Sequence, residues 1–87
     1  MTEETLLEFP CEFPIKMMGR DEDGFRETAR KLVEKHTGPL DDSAVQASLS
    51  AKGNFVSVTV TVTATSREQL DNIYREVSGH DAVLMAL

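Results

Sequence analysis

Apolar and polar residues alternate over residues 9–19. Phe9, Cys11, Phe13, Ile15 and Met17 fall on one face, and Pro10, Glu12, Pro14, Lys16 and Met18 on the other. This is the period of a half-buried strand. Pro14 has no N–H to give a ladder, so regular pairing is expected to begin at or just after it. Gly19 is expected to end the strand. The period then lengthens. Phe25, Ala29, Leu32, Val33 and His36 form one helical stripe, which predicts a helix over 21–36. Asp21, Glu22 and Asp23 stand at its start, where carboxylates suit the free N–H groups and the helix dipole. Lys35 and His36 stand near its end, and Gly38-Pro39 stops it. Glu22 with Arg26 and Glu27 with Lys31 are spaced as supporting ion pairs on its surface.

The middle of the chain returns to alternation. Gly53-Asn54 is a two-residue hairpin signal with glycine first. That turn sets Leu49 opposite Val58, Ala47 opposite Val60 and Val45 opposite Val62. The intervening pairs are Ser50 with Ser57, Ser48 with Thr59 and Gln46 with Thr61. Apolar residues meet apolar ones throughout, and a one-residue slip would turn a whole strand inside out.

Residues 66–78 predict a second helix, with Leu70, Ile73, Tyr74 and Val77 as its stripe. Thr65 with Glu68, or Ser66 with Gln69, supplies a capping box. Ala82 to Leu87 is an apolar strand, with Val83, Met85 and Leu87 expected on the core side and Leu84 and Ala86 opposite. Residues 1–8 read as a tail or docking segment, with Leu6 and Leu7 as its apolar anchors. Residues 9–87 read as a single domain. The order βαββαβ, with right-handed crossovers, predicts an α+β two-layer ferredoxin-like sandwich. Its antiparallel sheet has the order 4-1-3-2, and both helices cover one face. The other face is open.

Bulk properties narrow what such a domain does. A chain of 87 residues buries only a little more than roughly 60% of its unfolded surface, which leaves little room for an enclosed active site. Its net charge of −6 opposes general nucleic-acid binding and adhesion to anionic membranes. The acidic start, Met1-Thr2-Glu3-Glu4-Thr5, is unlike a secretory signal. No apolar run has the length of a membrane span. Cys11 is the single cysteine, so no internal disulfide forms. A cytoplasmic location is the expectation.

Candidate chemistry is sparse. Cys11 and His36 fall at the same end of the predicted sandwich, and His80 at the other. A thiol–imidazole pair has no third orienting group here. The ordinary account is a small packed cysteine and a histidine favoured by a helix C-terminus. Asp21, Glu22 and Asp23 do not have the spacing of a calcium loop, and one cysteine with two distant histidines makes no zinc site. Neither a metal nor a cofactor is expected. Lys52-Gly53-Asn54-Phe55-Val56 has some likeness to the third-strand motif of RNA-recognition domains, which share this element order. Stacking on RNA needs aromatics along the exposed face, whereas Phe55 is followed there by Ser57, Thr59 and Thr61.

Several blocks in order carry a resemblance to a known family. They are Leu6-Leu7-Glu8-Phe9-Pro10 with Phe13-Pro14, Lys16-Met17-Met18-Gly19, Ser50-Ala51-Lys52-Gly53-Asn54-Phe55-Val56-Ser57-Val58, and Val83-Leu84-Met85-Ala86-Leu87. The chain resembles the YbeD-like family of short bacterial proteins of undetermined function. That resemblance implies a ferredoxin-like fold similar to ACT regulatory domains, and members are often labelled lipoate-binding regulatory proteins. The family has no established catalytic residues to carry over. By analogy with ACT domains, a non-catalytic regulatory or small-ligand-binding role implies a site at Gly19, Arg20, Lys52 and Asn54. The alternative is a protein-interaction module acting through the open face and the edge strand, at Met18, Phe55, Thr59, Thr61 and Leu84. The expected partner is thus an unidentified small molecule or a protein, a second copy included, and neither nucleic acid nor membrane.

Overall fold

A computed structural model of the chain describes residues 8–20, 24–49 and 54–87. The elements are β1 (Cys11–Arg20), α1 (Phe25–Thr37), a 3-10 turn (Asp42–Ala44), β2 (Val45–Leu49), β3 (Phe55–Ala64), α2 (Arg67–Ser78) and β4 (Val83–Ala86). The four strands form one antiparallel sheet in the order β2-β3-β1-β4. This is the expected 4-1-3-2 order, read from the other edge. Leu6 and Leu7 of the expected tail lie outside the described residues.

Strand alternation builds the core. Phe13, Ile15 and Met17 of β1 lie opposite Val62, Val60 and Val58 of β3. β-branched residues pack well on such a pleated, covered surface. Over them close Phe25, Ala29, Leu32 and Val33 of α1 and Leu70, Ile73 and Val77 of α2, all buried. The helix stripes read from the sequence are therefore the packed faces.

Pairing of β1 begins at Cys11 opposite Ala64, earlier than expected, and runs through Pro14 opposite Thr61. The reason lies on the other side of β1. Lys16 and Leu87 exchange backbone bonds of 3.3 and 2.8 Å, so the N–H of Lys16 points toward β4. By strand alternation the position of Pro14 faces the same way. The described ladder with β4 does not extend to Pro14, and no described strand needs its missing donor. Gly19 does not end β1, which continues through Arg20.

Helix α1 starts later than the 21–36 pattern suggests. Its first residue follows Gly24, whose φ of 88° is one that glycine adopts at no steric cost. Asp21, Glu22 and Asp23 lie outside the described residues, and the expected pair of Glu22 with Arg26 lies there with them. Arg26 reaches to Asp42 Oδ1 at 2.9 Å and to the carbonyl of Val45 at 2.8 Å, tying α1 to the start of β2. Glu27 pairs with Arg30 instead of Lys31, at 2.7 and 2.9 Å. Both charge-assisted bonds come from one guanidinium nitrogen, Arg30 Nη2, which lies between the two carboxylate oxygens.

Helix α2 is capped by Ser66, as one of the two expected boxes has it, but Gln69 reaches back one residue beyond the cap. Ser66 Oγ accepts from the Gln69 N–H at 3.1 Å, and Gln69 Oε1 accepts from the Thr65 N–H at 2.7 Å. Gln69 Nε2 also donates to the carbonyl of His36 at 3.0 Å. Nearby, Glu76 Oε2 takes Lys35 Nζ at 2.8 Å and Glu76 Oε1 meets His36 Nε2 at 2.7 Å. Those hydrogen bonds, Lys35 first and His36 next, hold the Glu76 carboxyl below its usual range. Tyr74 donates to the carbonyl of Leu87 at 2.7 Å and meets Phe13 edge-on, anchoring the end of the sheet to α2.

Two register details differ from the sequence reading. Val45 pairs with Val60 where Val62 was expected, and Ala47 with Val58 where Val60 was expected. The shift is two residues, so every side chain keeps its face and the alternation could not reveal it. Gly53, the first residue of the expected turn pair, lies outside the described residues, as does Ser50. Of the three inward positions of β2, only Val45 is buried. Ala47 is exposed and Leu49 is 61% exposed, because β2 is an edge strand whose far end leaves the helical cover.

The second difference is in β4. Met17 pairs with Ala86, Met18 with Met85 and Gly19 with Val83, so the register breaks between Met18 and Gly19. Leu84 is the extra residue of a bulge. Val83 stays buried, as expected. Beyond the bulge the alternation reverses. Ala86 packs against the core, while Met85 and Leu87 turn to the open face. Their assignment to the core side, and that of Ala86 to the open side, is corrected accordingly.

Candidate functional site

The open face can be assembled strand by strand. β3 contributes Phe55, Ser57, Thr59, Thr61 and Thr63, and β2 contributes Gln46 and Ser48 opposite Thr59 and Ser57. From β1 come Glu12, Pro14, Lys16, Met18 and Arg20. Met85 lies beside Met18 and Leu87 beside Lys16. The face thus has a mostly polar, uncharged half at β2 and β3, and a half at β1 and β4 where large apolar side chains gather among Glu12, Lys16 and Arg20.

In the apolar half, Met18 is 38% exposed, Leu84 51%, Met85 52% and Leu87 70%. Large apolar side chains collected in one place, unlike scattered ones, call for an explanation. Between them runs a small cleft of about 40 Å³, lined by Lys16, Met17, Met18, Ser57, Met85 and Leu87. Methionine suits such a cleft, since its unbranched thioether adapts to different shapes.

The residues expected in a ligand site separate. Gly19 is buried, and its missing side chain has a packing reason. A Cβ there would lie 2.5 Å from the Phe25 ring and 2.6 Å from the Ala82 carbonyl. Glycine lets α1 and the start of β4 close over the end of β1. Arg20 is exposed and lies opposite Phe55 on the open side. Asn54 is exposed and adjoins Phe55 in the chain. Lys52 lies outside the described residues. Among the expected interaction residues, Met18, Phe55, Thr59 and Thr61 share the open face, and Leu84 is half exposed at its edge. Sequence reasoning placed Lys16 on this side of β1 and missed Met85 and Leu87 as members of the face. The available signal was Gly19 itself, since a glycine inside a strand marks a bulge or a close backbone approach.

A second depression, wide and open, occupies about 540 Å³ at the other end of the sheet. It lies between Glu12, Thr61 and Thr63 and the loop 39–44. Thr63 Oγ1 donates to Glu12 at 3.1 Å. Hydroxyls and carboxylates line it, and neither Cys11 nor either histidine is among the lining residues. Cys11 packs against the edge of the core. His36 is held by Glu76, and His80 Nδ1 accepts from the Ala82 N–H at 3.1 Å in the turn before β4. Among the described residues, no three histidine, cysteine or acidic side chains gather to hold a metal ion. No described helix is long and apolar enough to cross a membrane.

Similarity to known proteins is extensive. A family model described as "Protein of unknown function (DUF493)" matches residues 4–87. A UPF0250 protein of Paraburkholderia phytofirmans is 49% identical over 84 residues, 97% of this chain and 94% of that protein. The UPF0250 protein NE1487 of Nitrosomonas europaea is 41% identical over the whole of both chains. One from Chromobacterium violaceum is 48% identical over 84 residues, 97% of this chain and 94% of that one. Among solved structures, the solution structure of protein HP0495 from H. pylori superposes with a TM-score of 0.74 at 20% identity. It covers 93% of this chain and 85% of that one, and agrees on the fold. The resemblance to small bacterial proteins of undetermined function, read from the sequence, is borne out.

Proposed function

The chain belongs to the DUF493 family of proteins of unknown function, and from that premise we propose that it is a non-catalytic binding module that engages a protein through the apolar half of its open sheet face. One observation carries this reading: Met18, Met85 and Leu87 converge around an adaptable cleft on a face that no helix covers, with the bulged Leu84 exposed beside them in β4. Burying such side chains stabilises a complex by about 25 cal/mol per Å² of apolar surface, before the costs of association.

The test is retention of a partner on immobilised protein. Wild type and a Lys31→Glu variant, altered on α1, are expected to hold the same protein, and a Met18→Asn/Met85→Asn variant to lose it. Equal retention by all three would refute the reading.

A small-ligand role of ACT type has narrower support, in the adjacency of Arg20 and Phe55 at the end of β1. Amino acids or lipoate at 100 times their dissociation constant would stabilise the fold by about 2.7 kcal/mol. A thermal shift of that size, abolished by Arg20→Gln, would favour this role over the first.

A further inference from the structure

The proposed binding face carries charge in a particular place. Lys16, Met18 and Arg20 stand in a row on the open side of β1. Strand geometry sets the Cα atoms of Lys16 and Arg20 about 13 Å apart with Met18 midway. Elsewhere in the molecule, Arg26, Arg30 and Lys35 are each held by a carboxylate, whereas Lys31, Arg67 and Arg75 have no ion pair among the described residues. Among the described residues, no ion pair engages Lys16 or Arg20. The other charged side chain of β1 on this side, Glu12, lies farther down the strand, where Thr63 donates to it. A chain of net charge −6 thus places Lys16 at its apolar cleft and Arg20 two residues beyond Met18, neither with an ion pair among the described residues.

Resting on the binding-face reading, we propose that the partner is an acidic protein segment. It seats one apolar side chain in the cleft between Met18, Met85 and Leu87, with carboxylates flanking it to meet Lys16 and Arg20. Charge selects this occupant over two others. A second copy stacked face to face would bring Lys16 and Arg20 against their own counterparts, and like charges oppose that contact. A nucleic acid would meet Lys16 and Arg20, but it would leave Leu84, Met85 and Leu87 against a phosphate backbone and would face a strongly acidic protein. An acidic segment satisfies both the apolar and the charged components.

The test is selection of random peptides displayed on phage against the whole chain. Nonspecific electrostatics would enrich basic peptides on so acidic a protein, so enrichment of acidic ones reports local attraction. A selected peptide, labelled and followed by fluorescence anisotropy, is expected to bind more weakly in high salt. Binding should weaken about tenfold or more on Lys16→Glu/Arg20→Glu. Replacing its acids by lysine should abolish binding to wild type and restore it to that charge-reversed variant. Peptides that lack acids and ignore the charge reversal, yet are lost on Met18→Asn/Met85→Asn, would overturn the acidic partner and leave the binding face standing. Failure to enrich any peptide, or binding insensitive to both variants, would overturn both. Tighter binding of single-stranded RNA than of any peptide, lost on Lys16→Glu/Arg20→Glu, would overturn the protein partner. All four side chains are exposed, and each variant is first checked for an unchanged thermal midpoint.

Discussion

The two sides of the sheet are built from the same strands and have opposite characters. On the helical side, Ile15, Val58, Val60 and Ile73 are fully buried. Three cations there are tied down, Arg26 to Asp42, Arg30 to Glu27 and Lys35 to Glu76, while Lys31, Arg67 and Arg75 have no ion pair among the described residues. On the open side, Met18, Met85 and Leu87 stand exposed near Lys16 and Arg20, which have no ion pair among the described residues. A side chain on the first side is surrounded by its own protein, so changing it costs stability. A side chain on the second has solvent for a neighbour, so changing it costs little to the fold and is free to matter for binding. This division separates residues that make the domain from residues that use it.

The sharpest way to break the comparison is to truncate one aliphatic side chain on each side. Ile73→Ala should lower unfolding stability by about 2–5 kcal/mol, through lost burial and a cavity under α2. Leu84→Ala should stay within about 0.5 kcal/mol of wild type. Urea denaturation of both settles the matter, and a large loss on Leu84→Ala would mean that the bulge is part of the core.

Gly19→Ala probes the seam where the two sides meet. The new methyl group has no place between the Phe25 ring and the Ala82 carbonyl. The ring can turn aside, but the carbonyl belongs to the backbone, so the start of β4 must shift. Overpacking of this kind costs about 1–3 kcal/mol. Chemical-shift changes are expected to spread along β4 to Met85, and changes confined to residue 19 would count against the packing role.

The smallest effect concerns charge on the helical side. Glu76 has its carboxyl lowered by bonds from Lys35 and then His36. A lowered folded-state pKa contributes stability that is present above the ordinary carboxylate range. That contribution is lost as pH falls through the folded value. Stability curves of wild type and Glu76→Gln should therefore differ near neutrality and converge in acid. A constant offset down to the acid limb would show that the contact acts by packing alone.

Element order, sheet order and the packed stripes were legible in the sequence, because burial imposes a period of two on strands and of 3.6 on helices. Phe25, Ala29, Leu32 and Val33 needed no tertiary information to be placed inward, nor did the valines of β3. Less was legible about the binding face. Met18 was visible there from alternation, but Met85 and Leu87 were read onto the wrong side because alternation was carried unbroken through β4.

What the chain determined by itself is which residues must avoid water, a property that each short segment records locally. What only the tertiary structure decided is where neighbouring strands meet. The two-residue shift between β2 and β3 keeps every face and leaves no trace in the pattern. The bulge opposite Met18 and Gly19 depends on how closely Ala82 approaches a glycine from a distant part of the chain. Register is a relation between segments, set by close packing across the sheet. It turned a strand expected to point Met85 inward into one that presents it beside Lys16 and Met18.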